Sequence, residues 1–159
     1  MYRRVWSRKG ERPKAVGAHR YEWFYGCTFV EPKTGWNLSL LVDGIDTQVM
    51  GWVLKELKAT LSEGEEAWVV LDRAGWHVSP KVEVPEGVRL IFLPPYSPEL
   101  QPAERVWPLV NEAVANRYFA TLEEMMAVVE RRCLYLQGDP ELLRRHTLFH
   151  WWPIMKPSS

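Results

Sequence analysis

Asp72 follows an unbroken apolar run at residues 67–71, and Glu104 stands 32 residues further on, beyond a second such run and a proline-rich segment. In open α/β sheets, sites form just past the carboxyl ends of strands. Two neighbouring strands ending near Asp72 and Leu93 would deliver Asp72 and Glu104 to one sheet edge, with His77 close behind. Paired carboxylates at such an edge suit hard divalent cations. Mg²⁺ and Mn²⁺ take oxygen ligands and often use one or two carboxylates completed by water and substrate phosphate. Two such ions can clamp the attacking and leaving oxygens of an in-line phosphoryl displacement. The same residues also admit a plainer account, in which Asp72 ends a strand and Glu104 pairs at the surface with Arg105 or Arg73.

Several elements must position these groups. Residues 21–31 (YEWFYGCTFVE) and 36–43 (WNLSLLVD) flank a Pro32–Gly35 turn and predict a β-hairpin. From Thr47 to Leu61, the spacing of Val49, Met50, Val53, Leu54, Leu57 and Leu61 predicts an amphipathic helix. The runs AWVVLD (67–72) and VRLIFL (88–93) suit parallel strands covered on both faces. Ser97-Pro98 can open a helix over 99–117, which Pro108 should kink or interrupt. Thr121 and Glu124 have capping-box spacing before Met125, Val128, Val129 and Leu136. Asp139-Pro140 opens a last short helix. The order implies one α/β domain over residues 1–159 with a mixed sheet flanked by helices.

The composition of the 159 residues, 47% hydrophobic and 25% charged, excludes a disordered chain, a collagen-like repeat and a coiled coil. No run approaches the length of a membrane span, and no apolar core follows the basic start as in a signal peptide. Two cysteines, Cys27 and Cys133, cannot build a disulfide framework, so the cytoplasm is expected. Net charge is zero, but residues 1–20 hold seven basic groups against one acid, leaving −6 on the remainder. Arg3, Arg4, Arg8, Lys9 and Arg12 in this arm are candidate DNA contacts, because neutralising phosphates releases counterions. A solvated terminus accounts for the same charges. Ser97 lacks a nucleophile-elbow context, and neither cysteine has a neighbouring base, which argues against a small hydrolase.

The segments LDRAGWH (71–77) and LPPYSPELQPAERVWP (93–108) resemble the signature of DDE transposases of the mariner-like insertion-sequence superfamily. That pattern runs Asp-Asn-Ala, a His, a strand, then Leu-Pro-Pro-Tyr-Ser-Pro-Asp/Glu-Leu-Asn-Pro-Ile-Glu-X-X-Trp. RRVWSRKGERP (3–13), HRYEWFYGCTFVEPKTG (19–35), NEAVANRYF (111–119) and RRHTLFHWWP (144–153) extend the similarity to nearly the whole chain. The resemblance implies a ribonuclease-H-like fold and Mg²⁺- or Mn²⁺-dependent cleavage and strand transfer at transposon-end DNA. By position, Asp72 matches the second catalytic acid and Glu104 the third. His77 matches a motif histidine near the metal, as a substrate contact or as a hydrogen-bonded structural residue. Arg73 replaces the usual Asn and is a candidate phosphate contact. Glu99 matches a helix-start position rather than a ligand.

In that family the first catalytic Asp sits on a central strand ahead of the segment matching residues 3–13. The resemblance therefore implies that this chain lacks that strand and holds two of the three acids, with Asp43 and Asp46 wrongly placed to substitute. The sheet would then have open edges beside a gap, which invites a rearranged sheet or a homodimer. Weak or no cleavage by the chain alone is expected. The competing expectation is a non-catalytic remnant that binds DNA or a partner, distinguished by the salt slope of DNA binding with and without residues 1–20. In the Trp-rich C-terminus, His146 and His150 could bind metal at helical spacing, but packing of Trp151 and Trp152 is the preferred account.

Overall fold

The computed structural model describes residues 24–72, 80–97 and 100–149. Strands β1 (Tyr25–Glu31) and β2 (Trp36–Val42) form the expected antiparallel hairpin, with Tyr25 opposite Val42 and Glu31 opposite Trp36. Thr28 and Ser39 face each other across it, their hydroxyls 2.8 Å apart. The connecting turn closes through Gly35 N–H to the Glu31 carbonyl at 2.8 Å, with Gly35 at φ 78°. Gly35 is required twice over, because a Cβ there would also overlap the Pro140 carbonyl.

Helix α1 (Thr47–Ala59) begins where the apolar stripe begins. The Asp46 carboxylate accepts from Val49 N–H at 2.8 Å, so this acid works as an N-cap. Met50, Val53, Leu54 and Leu57 make the buried face.

Strands β3 (Ala67–Leu71) and β4 (Val88–Phe92) pair in parallel, with Ala67 opposite Val88 and Leu71 opposite Phe92. Two expectations require correction. The four described strands form two separate two-stranded sheets, β1–β2 and β3–β4, rather than one mixed sheet. Nor are the parallel strands covered on both faces by described residues, since Trp68 is 49% exposed and Ile91 40%. The two differences have separate causes: no described strand bridges β1 and β3, and no described element packs over the β3–β4 face that carries Trp68 and Ile91. β1 and β3 each have a partner on one side only, and the two open edges line a cleft of about 350 Å³. Phe29 and Val30 stand on one side, Trp68 and Val69 on the other, with Leu57 and Ala103 between them.

Downstream, the single expected helix is replaced by a 3-10 segment, Pro102–Arg105, followed by α2 (Val106–Asn111). Pro98 and Glu99 lie outside the described residues, and the Ser97 hydroxyl, expected as a cap, donates to the Pro95 carbonyl at 3.3 Å. The expected helix is interrupted, one of the two alternatives, just ahead of Pro108. The fresh start at Val106 puts it in the first turn of α2, where its missing N–H has no helical acceptor to leave unpaired.

Helix α3 (Leu122–Gln137) carries the expected cap: Thr121 Oγ1 accepts from Glu124 N–H at 3.2 Å. The returning Glu124 carboxylate accepts from Ala120 N–H at 3.0 Å, one residue earlier than a capping box predicts. Helix α4 (Pro140–Thr147) is capped by Asp139 Oδ1, which accepts from Leu142 N–H at 3.2 Å.

Two cores result. One gathers Val106, Leu109, Val110, Val129, Leu136 and Leu143 beneath the hairpin. The other joins Met50 and Leu54 of α1 to Leu71 and Val88. Both cysteines are free thiols. Burial raises the pKa of each, and for Cys133 a Ser39 hydrogen bond partly opposes it. Because the folded pKa lies above the unfolded one, the stability these thiols contribute is intact below the ordinary thiol range and lost as pH rises beyond it. Alkylation at neutral pH is expected to be at least ~10-fold slower in the folded chain than in urea, as read by mass spectrometry. Equal rates would contradict the burial. No helix among the described residues is long and apolar enough to cross a membrane.

Candidate active site

The parallel register brings the ends of β3 and β4 level, and the Leu71 carbonyl accepts from Leu93 N–H at 2.9 Å. Asp72 and Leu93 thus leave the sheet side by side at its carboxyl edge. The Asp72 side chain is exposed there. From Leu93 the chain runs through Pro94, Pro95 and Tyr96 towards the 3-10 segment. Glu104 sits in that segment, its N–H donating to the Gln101 carbonyl at 3.2 Å and its side chain exposed. Buried Pro102 anchors this stretch. Trp107 anchors it further by lying against β1, where a Cβ on Gly26 would overlap its ring. That contact explains a tryptophan three residues after the acid.

Tyr96 is fully exposed and holds φ 59°. A non-glycine residue in this left-handed region is strained by about 1 kcal/mol. Tyr96→Gly should therefore raise the melting temperature by roughly 3 °C, measured by circular dichroism. A fall in melting temperature would show that the ring makes up for its backbone.

Glu104 also lines a pocket of about 550 Å³ together with Arg105, Arg145, His146 and Phe149. The Arg105 guanidinium lies 4.4 Å from the Phe149 ring centroid. Sequence reasoning did not find this wall. The basic last turn of α4 was legible, but nothing local indicated that it folds back to Glu104.

Arg73 and His77 belong to residues 73–79, and Arg3, Arg4, Arg8, Lys9 and Arg12 to residues 1–23; all lie outside the described residues, as do Glu99 and His150. Asp43 is exposed at the end of the hairpin. His146 Nδ1 lies 2.9 Å from the Leu142 carbonyl, an intrahelical bond that occupies one ring nitrogen. Among the described residues, no three His, Cys, Asp or Glu side chains form a metal-sized cluster. The donor chemistry of Asp72 and Glu104 still fits a hard cation: two exposed carboxylates leave room for the water and phosphate ligands that Mg²⁺ keeps.

Residues 1–126 match the family profile described as DDE superfamily endonuclease, a span that includes both carboxylates. The chain is also 38% identical over 105 residues to "Uncharacterized protein y4pE/y4sA" of Sinorhizobium fredii (strain NBRC 101917 / NGR234). That alignment covers 65% of this chain and 78% of the relative. No solved structure matches the chain. With the profile matching residues 1–126 of its 159, this chain belongs to the DDE superfamily of endonucleases.

Proposed function

We propose that this domain is the catalytic part of a mariner-like insertion-sequence transposase, cutting and joining DNA at the element's ends. The observation that carries the proposal is the position of Asp72 at the carboxyl end of β3, beside the end of β4, inside the family-matched span that also holds Glu104. Asp72 and Glu104 would hold Mg²⁺ or Mn²⁺. When bound, the metal supplies charge neutralisation at the phosphate. The chain's own contribution is placement, the dominant factor in phosphoryl transfer. The β3–β4 ladder continues to Leu93 and sets Asp72, while the Trp107–Gly26 contact sets the segment bearing Glu104. Arg73 is assigned to a phosphate contact, His77 to substrate, and Arg3, Arg4, Arg8, Lys9 and Arg12 to the DNA backbone. Such a protein acts in the cytoplasm, on the nucleoid.

A ribonuclease-H-like arrangement is the second part of the proposal. The cleft between β1 and β3 offers two open backbone edges, and one extended strand seated there would join both sheets. A second copy in a homodimer is the proposed source of that strand. A sedimentation monomer with exchange-protected β1 amides would count against the dimer.

The test is nicking of supercoiled plasmid in Mg²⁺ and Mn²⁺. The chain should cut weakly, and Asp72→Asn should stop it. Undiminished nicking by the Asp72→Asn variant would overturn the assignment. If the chain does not cut, while DNA binding keeps a salt slope that depends on residues 1–20, the non-catalytic reading takes its place.

A further inference from the structure

The C-terminal helix folds back onto the segment that bears Glu104. The last turn of α4 puts Arg145 and His146 on the wall of the pocket shared by Glu104 and Arg105. Positive charge on this wall is poorly compensated. Arg105 stacks on Phe149 at 4.4 Å and pairs with no described carboxylate. Stacking uses the guanidinium face and leaves its edge donors available. Arg145 reaches only Glu141, at 3.8 Å. That carboxylate already takes two bonds from Arg144, each 3.0 Å. The Arg144 hydrogen bond also holds Glu141 below the usual carboxylate range, so its charge is committed. His146 Nδ1 faces a carbonyl, which can only accept, so this nitrogen carries its proton. The pocket's other acid, Glu112, lies 3.5 Å from the Arg132 guanidinium.

Two guanidinium forks and an imidazole therefore share a pocket of about 550 Å³ with the carboxylates of Glu104 and Glu112, the second of which faces Arg132. Arginine's planar donors match phosphate oxygens two at a time. A cavity of this size accommodates a phosphodiester with its sugar. We infer that Arg105 and Arg145, with His146, form a clasp that grips one stretch of DNA backbone beside Glu104. The inference rests on the proposed role of Glu104 in DNA cleavage, but the grip itself needs no metal.

Anisotropy of a short fluorescein-labelled DNA duplex, titrated in EDTA over a range of salt, tests it. The Arg105→Gln/Arg145→Gln double variant should bind at least ~10-fold more weakly. Its plot of log K against log salt should flatten by about 1.8, two phosphate contacts at roughly 0.9 each. Replacing both arginines with lysine should restore most of the slope, which a merely misfolded variant would not do. Arg131→Gln, on the exposed side of α3, should leave the slope close to wild type. Glu104→Gln should bind as well as wild type or better. An unchanged slope in the double glutamine variant overturns the clasp, as does a wild-type chain that fails to bind in EDTA at low salt. If DNA binds through these arginines while the chain never nicks plasmid, the proposed function falls and the clasp stands.

Discussion

Gly35→Ala is expected to lose about 3–5 kcal/mol of folding stability, an exceptional penalty for one methyl group. Left-handed backbone at φ 78° accounts for roughly 1 kcal/mol of it. The remainder is the collision of the new Cβ with the Pro140 carbonyl at the start of α4. Neither side can retreat cheaply. Asn37, 5% exposed, donates through Nδ2 to the Gly35 carbonyl at 3.3 Å and to the Leu136 carbonyl at 3.2 Å, pinning the turn to the end of α3. Buried hydrogen bonds of this kind are expensive to break. Gly64→Ala is the control. Gly64 has φ 80°, but a Cβ there would meet nothing within 4 Å, so only the backbone cost of about 1 kcal/mol should appear. Urea titrations followed by tryptophan fluorescence give both values. Equal losses at the two glycines would show that α4 moves aside freely.

The second large effect concerns the metal. Asp72→Asn and Glu104→Gln should each weaken Mn²⁺ binding by at least ~10-fold, the lower end of what even outer-shell changes cost a metal site. If both carboxylates hold one ion, the double variant should add much less than the product of the single effects. Titration of free Mn²⁺ by electron paramagnetic resonance measures this without any cleavage. Unchanged affinity in both single variants would remove the two acids from the proposed site.

Much of this architecture was legible in the residues. The caps at Thr121 and Asp139, the α1 stripe and the hairpin turn are local features, set by hydrogen bonds and side-chain spacing within a few residues. The place of Asp72 at the end of β3 came from an apolar run that ends in a motif residue. Non-local contacts were not legible. Trp68 and Ile91 read as buried because an apolar run does not say whether its second face has a cover. Pro108 marked a kink or a break, but where the break falls was not legible, because the 3-10 segment before it leaves no periodic trace. The pocket wall at Arg145 depends on how α4 packs, which no window of sequence contains.

The two proposed metal ligands belong to different cores. Asp72 directly follows Leu71 of the α1–β3–β4 cluster, and Glu104 stands two residues before Val106 of the hairpin and α2–α4 cluster. An ion held by both would act as a crosslink between halves that otherwise meet along an open cleft. Without it, the halves are free to melt as separate cooperative units, and a single transition midpoint would not be a property of the whole chain. With it, binding free energy is shared by both halves, and their melting becomes one event whose temperature rises with metal concentration.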